Sequence, residues 1–67
     1  MSDEVILKIY ADYTDYYIDM TIGVQSFEQA FTSEDYDAIL WYANQMKDAL
    51  EKTGASVRIQ NSEDKTT

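Results

Sequence analysis

The sequence predicts a small α+β domain, a mainly antiparallel sheet of three or four strands with one helix packed on one face, in the order β-β-(β)-α-β. Three observations carry this. Two N-terminal runs alternate apolar and polar residues, one later segment repeats apolar residues at helical spacing, and a short alternating run follows it.

Residues 5–13 (VILKIYADY) and 16–25 (YYIDMTIGVQ) read as the first two strands. Val5, Leu7, Ile9, Ala11 and Tyr13 form one alternating set, and Tyr16, Ile18, Met20, Ile22 and Val24 form the other. A hairpin folded at Thr14-Asp15 brings the sets together, with Val5 opposite Val24, Leu7 opposite Ile22, Ile9 opposite Met20, Ala11 opposite Ile18 and Tyr13 opposite Tyr16. A slip of one residue would send the two sets to opposite faces, so this register is strongly favoured. The other face would then pair Asp12 with Tyr17, Tyr10 with Asp19, Lys8 with Thr21 and Ile6 with Gly23.

Residues 26–31 (SFEQAF) fit either a short third strand or a loop anchored by Phe27. The helix is expected over 32–53. Thr32 is its expected N-cap with Asp35 at N3, and Phe31 and Tyr36 occupy the positions of a hydrophobic staple. Glu34, Asp35 and Asp37 suit the positive end of the helix dipole, and Lys47 and Lys52 its last turns. Tyr36, Ile39, Ala43, Met46 and Leu50, with Leu40 beside them, make the buried stripe, and Gly54 is placed for a left-handed C-terminal turn. Residues 55–60 (ASVRIQ) read as the last strand, beside the first and antiparallel to it if it crosses over from the second. A polar tail, 61–67, follows. The chain thus reads as a single domain, 1–67, with an ordered core of about 4–60.

Sixty-seven residues without a Cys must hold together on a small core alone. There is also no His, the only glycines are Gly23 and Gly54, and no phosphate-binding loop is present. The expectation is therefore of no enzyme, no catalytic residue and no cofactor. Asp12, Asp15 and Asp19 carry oxygen ligands, but their spacing matches no calcium loop, so no metal is expected either. No apolar run approaches a membrane span and the N-terminus lacks the basic start of a signal peptide, which suits the cytoplasm.

The charge distribution is the strongest functional signal. The net charge is −8; residues 1–46 carry nine acids and one base, Lys8, while residues 47–67 carry four of each. Such a field repels nucleic acid and anionic membranes and speeds encounter with basic surfaces. The segment from Tyr10 to Asp19 adds four Tyr to three Asp around one hairpin end, combining stiff amphipathic rings with carboxylates able to pair with Arg or Lys. Trp41 or Tyr42 must be partly outward, since both cannot follow the 3-4 spacing; Trp41, among helix acids, is either a further anchor or, by default, a rim residue packed over the sheet.

In length, charge and element order the whole chain resembles the small acidic proteins that phages and other mobile elements make against host machinery, including anti-CRISPR proteins and other DNA mimics, and the T7-type inhibitor of host RNA polymerase. The resemblance carries no residue pattern. It implies an inhibitor acting in the host cytoplasm on a protein partner with a basic surface, such as a CRISPR effector complex, without binding nucleic acid or membrane directly. The expected partner-binding residues are Tyr10, Asp12, Tyr13, Asp15, Tyr17, Asp19, Glu34, Asp35, Asp37 and Trp41. The rival expectations are an interaction module or homodimeric subunit, using its uncovered sheet face or edge strand, and a small-molecule or metal binder.

Overall fold

A computed structural model describes residues 4–62. Strands β1 (Glu4–Asp12), β2 (Asp15–Ile22) and β3 (Gln25–Ser33) form a meander, helix α1 (Tyr36–Glu51) crosses the sheet, and β4 (Ser56–Asn61) ends it. The strand order is β3-β2-β1-β4. The segment open to two readings is therefore a full strand, and it decides the direction of the last one. With β3 antiparallel to β2, the chain enters α1 running as β1 runs, and β4 returns parallel to β1 rather than antiparallel. Asn61, expected in the tail, belongs to β4, and Ser62 donates its backbone N–H to the Ile9 carbonyl at 2.9 Å. The remainder of the expected tail, 63–67, lies outside the described residues.

The β1–β2 register is not the expected one: it is displaced by two residues, a shift that keeps the same parity. Val5 pairs with Ile22, Leu7 with Met20, Ile9 with Ile18, Ala11 with Tyr16 and Asp12 with Asp15. The turn is Tyr13-Thr14, with Tyr13 at φ 60°, and the next turn, Gly23-Val24, begins with Gly23 at φ 59°. A positive φ at the first of two turn positions alone is the backbone signature of type II′ hairpin turns, whose twist matches that of the strands. Parity was legible because burial enforces it. The two-residue displacement was not, because it preserves which residues face inward and turns on whether Tyr13 accepts a left-handed backbone. As a result Tyr13 and Val24 leave the inward sets for exposed turns, and Ala11 is exposed near the sheet end.

One face of the sheet meets the helix. Val5, Leu7, Ile9, Ile18, Ile39 and Ala43 are fully buried, and Tyr16, Met20, Ile22, Tyr36, Leu40, Met46, Leu50, Ala55, Val57 and Ile59 pack around them. All five residues of the expected helical stripe belong to this cluster, as does Leu40 beside it. Among the described residues no element covers the opposite sheet face.

The helix begins later than its sequence suggests because the strand before it runs longer. Thr32 is held in the β2–β3 ladder opposite Tyr17 and is not available as a cap. Asp35 caps instead, its carboxylate accepting the Asp37 N–H at 3.0 Å, while the Ser33 hydroxyl oxygen accepts the Asp35 N–H at 3.1 Å. The shift puts Glu34 and Ile39, not Phe31 and Tyr36, at the staple positions. At the other end Gly54 N–H donates to Glu51 O at 3.0 Å and Ala55 N–H to Leu50 O at 3.4 Å, the two bonds of a Schellman turn, with Gly54 at φ 96°. No base lies in the last turn; Lys52 is the C-cap, and Lys47 stands within the helix.

Candidate functional site

The β1–β2 hairpin end and the start of α1 lie at the same end of the sheet, because Ser33 at the end of β3 pairs with Tyr16 at the start of β2. That end brings together Asp12, Asp15, Glu34, Asp35 and Asp37, two clusters well separated in the chain. Tyr13 projects from the turn between the first two acids and is 99% exposed.

The described bases sit elsewhere. Lys47 pairs with Glu51 and Lys52 with Asp48, each at 3.4 Å along the helix, and Arg58 lies 3.9 Å from Glu4 on the β1–β4 side. Lys8 Nζ lies 6.0 Å from the Tyr10 ring centroid, across from Asp19 in the ladder. Among the described residues, no Lys or Arg forms an ion pair with Asp12, Asp15, Asp19, Glu28, Glu34, Asp35 or Asp37. Among the described residues, charge is thus unevenly distributed, with ion pairs on the helix and the β1–β4 side and carboxylates without an ion pair at the hairpin end.

Two features of this end work against folding stability. Asp12 and Asp15 are direct cross-strand partners, and like charges in that position repel. Tyr13 holds a left-handed backbone, unfavourable for any residue with a Cβ, while its side chain packs on nothing.

The open face of the sheet carries the remaining hairpin residues, in a different pairing from the one the sequence implied. Tyr10 pairs with Tyr17, not Asp19, and the two rings stack at 5.5 Å with an interplanar angle of 30°. Lys8 pairs with Asp19, Ile6 with Thr21, and Asp12 with Asp15 rather than Tyr17. Desolvation among these neighbours pushes the Tyr10 hydroxyl above its usual pKa, and the Asp19 carboxylate adds to the shift. Asp19 also does structural work: its carboxylate accepts the Gln29 N–H at 2.8 Å, pinning a bulge where β3 places extra residues opposite the Ile18–Met20 segment and Gln29 takes φ 54°. Asp19 is thus committed within the fold, apart from the five acids at the hairpin end. Tyr16, the fourth ring of the Tyr-rich segment, faces the helix and packs against Tyr36 at 5.1 Å.

Trp41 is 58% exposed on α1 and meets Tyr42 edge-on at 5.4 Å. Tyr42 in turn stacks on Phe31 of β3 at 5.2 Å with an interplanar angle of 16°. With Phe27 on the same side of β3, these rings form an exposed aromatic side to the molecule. Of this group the helical spacing marks Trp41 or Tyr42 as outward, and Trp41 alone is expected to bind a partner. Phe27 and Phe31 do not show as a surface in the sequence because 26–31 fits a strand or a loop equally well, and the Phe31–Tyr42 stack depends on where that strand lies. Among the described residues there is no group of three or more acids, His or Cys arranged to hold a metal, and no helix is long and apolar enough to cross a membrane. No protein-family model, curated protein or solved structure matches the chain.

Proposed function

We propose that this chain is a non-catalytic acidic protein ligand that inhibits a nucleic-acid-binding machine by occupying its basic surface. The observation that carries this reading is the convergence of Asp12, Asp15, Glu34, Asp35 and Asp37 on one end of the sheet, without an ion pair to any described base. Carboxylates spaced along a rigid edge present to Arg and Lys the acceptors that a phosphate backbone would present. Tyr13 supplies an apolar contact beside them, and the Tyr10–Tyr17 stack offers a second on the open face. That acids repel one another and a turn holds a strained, unpacked tyrosine supports a binding role, since neither feature helps the fold. RNA-guided CRISPR effectors, with positively charged guide and target channels, are the first target class to examine, with the chain acting inside the host cell.

The test is displacement of labelled target DNA from such complexes by the full chain, alongside capture from host lysate with low-salt and high-salt washes. Asp12→Asn, Asp15→Asn and Glu34→Gln together remove charge while sparing Asp35, the helix cap, and Asp19, the bulge pin. The triple variant is expected to bind about tenfold more weakly or worse, and added salt to weaken the native chain similarly. Undiminished inhibition by the triple variant would eliminate the charge-based mechanism.

A further inference from the structure

We propose that the β3–α1 side of the molecule is a second docking surface, taking an extended, basic segment of a protein partner along the Phe31–Ser33 end of β3 against Phe31, Tyr42 and Trp41. β3 is an edge strand, and residues 25–32 are exposed throughout. An edge strand offers unpaired backbone groups to an incoming strand. Phe27 (44% exposed), Phe31 (37%) and Tyr42 (37%) are exposed on the β3–α1 side, Phe31 stacked on Tyr42, and Trp41 meets Tyr42 edge-on beyond them. On α1, Ala38, Tyr42, Gln45 and Ala49 follow one another at helical spacing with no charge among them, so the helix presents an uncharged stripe flanking the core stripe. An exposed aromatic grouping beside an unpaired edge is the form of a peptide-binding groove.

Charge selects the occupant. The strand, its β2 neighbour and the aromatic part of the helix all come from residues 9–46, which contain seven acids and no Lys or Arg. A second copy would bring the same acids to the same edge, whereas a segment bearing Lys or Arg finds Glu34, Asp35 and Asp37 at the end of the groove. The bulge adds a geometric reason. It divides β3 into two regular stretches, one pairing Gln25–Phe27 and one pairing Phe31–Ser33 with β2. A long self-pairing of β3 would have to cross it, while a short peptide needs only one stretch. This proposal shares with the previous one the premise of a basic partner and the acids Glu34, Asp35 and Asp37, but its groove, the β3 edge with its aromatic rings, is a different surface from the Asp12–Asp15 turn.

The probe is a pool of octapeptides alternating Lys or Arg with Val, Ile or Leu, titrated into the isotopically labelled full chain and followed by backbone amide and Trp indole resonances. A control pool carries Glu in place of the bases. Shifts at residues 31–33 and at the Trp41 indole, from the basic pool alone, are expected. The double variant Phe31→Ser, Trp41→Ser should bind about tenfold more weakly, as does loss of a hydrophobic anchor; Trp41→Ser alone, at an exposed helix position, should weaken binding while keeping the fold. Asp12→Asn with Asp15→Asn should leave these shifts in place. No shift from any basic pool, equal shifts from the Glu pool, or shifts confined to the 12–15 turn would each overturn the proposal. So would a dimer in sedimentation whose β3 amides resist hydrogen exchange before peptide is added. If the groove binds the basic pool but the chain displaces nucleic acid from no target, only the phosphate-mimic reading falls.

Discussion

At the residue scale, Tyr13 separates what the fold needs from what it carries. A non-glycine residue at φ 60° costs of order 1 kcal/mol against glycine, and an exposed side chain recovers none of it by burial. Tyr13→Gly is therefore expected to raise stability by about 1 kcal/mol in denaturant unfolding, while weakening partner binding. An unchanged or lower midpoint would show that the ring packs in solution. Tyr10 makes a prediction of the opposite kind. Its hydroxyl is harder to ionise in the fold than at its usual pKa of 10.0, first because of desolvation and then because of Asp19. The folded state thus holds this proton more tightly than the unfolded chain does. That contribution to stability is complete below pH 10 and is lost as pH rises through the folded value. Unfolding midpoints of the native chain should fall above pH 10 more steeply than those of Tyr10→Phe. Tyr10 is only half-buried, so the difference is small.

At the element scale, the start of α1 shows two local preferences competing for one stretch of chain. Thr32 with Asp35 has the form of a capping box, yet Thr32 serves the β3 ladder, and Asp35 moves from the N3 position to the cap itself. Asp35→Ala should cost about 1 kcal/mol, the usual loss of a capping side chain, whereas Thr32→Ala, which removes no cap, should cost less. Thermal unfolding of the two variants separates the alternatives, and a larger loss at Thr32 would restore the earlier start. The aromatic side of the molecule is likewise a property of elements, since Phe31 and Tyr42 become a pair only when β3 is a strand and α1 lies beside it.

At the scale of the whole molecule, the uneven charge has consequences for both stability and association. With a net charge of −8 and unpaired acids drawn to one end, self-repulsion opposes the compact state. Raising salt from about 0.01 M to 0.15 M shortens the screening length from about 30 to 8 Å, so stability is expected to rise over that range. Binding to a basic partner is expected to fall over the same range. Stability that decreases with salt would mean the surface ion pairs outweigh the repulsion, against their usual small worth.

Periodicity and composition alone specified the first two strands, the helix and the last strand, the inward residues Val5, Leu7, Ile9, Tyr16, Ile18, Met20 and Ile22 of the hairpin, the buried helical stripe and the sign of the field. Both are local. Val5, Leu7, Ile9 and Ile18 are buried in any register of the right parity, and Ile39 and Ala43 on any helix of the right phase. The tertiary structure alone decided the two-residue displacement of the hairpin, the direction of β4, the role of Asp19 as a pin and the meeting of Asp12 and Asp15 with Glu34, Asp35 and Asp37. The physical reason is that burial distinguishes inside from outside but is indifferent to displacements that keep the same face inward. Which residues then become neighbours is decided by the turn backbone and by the extra strand.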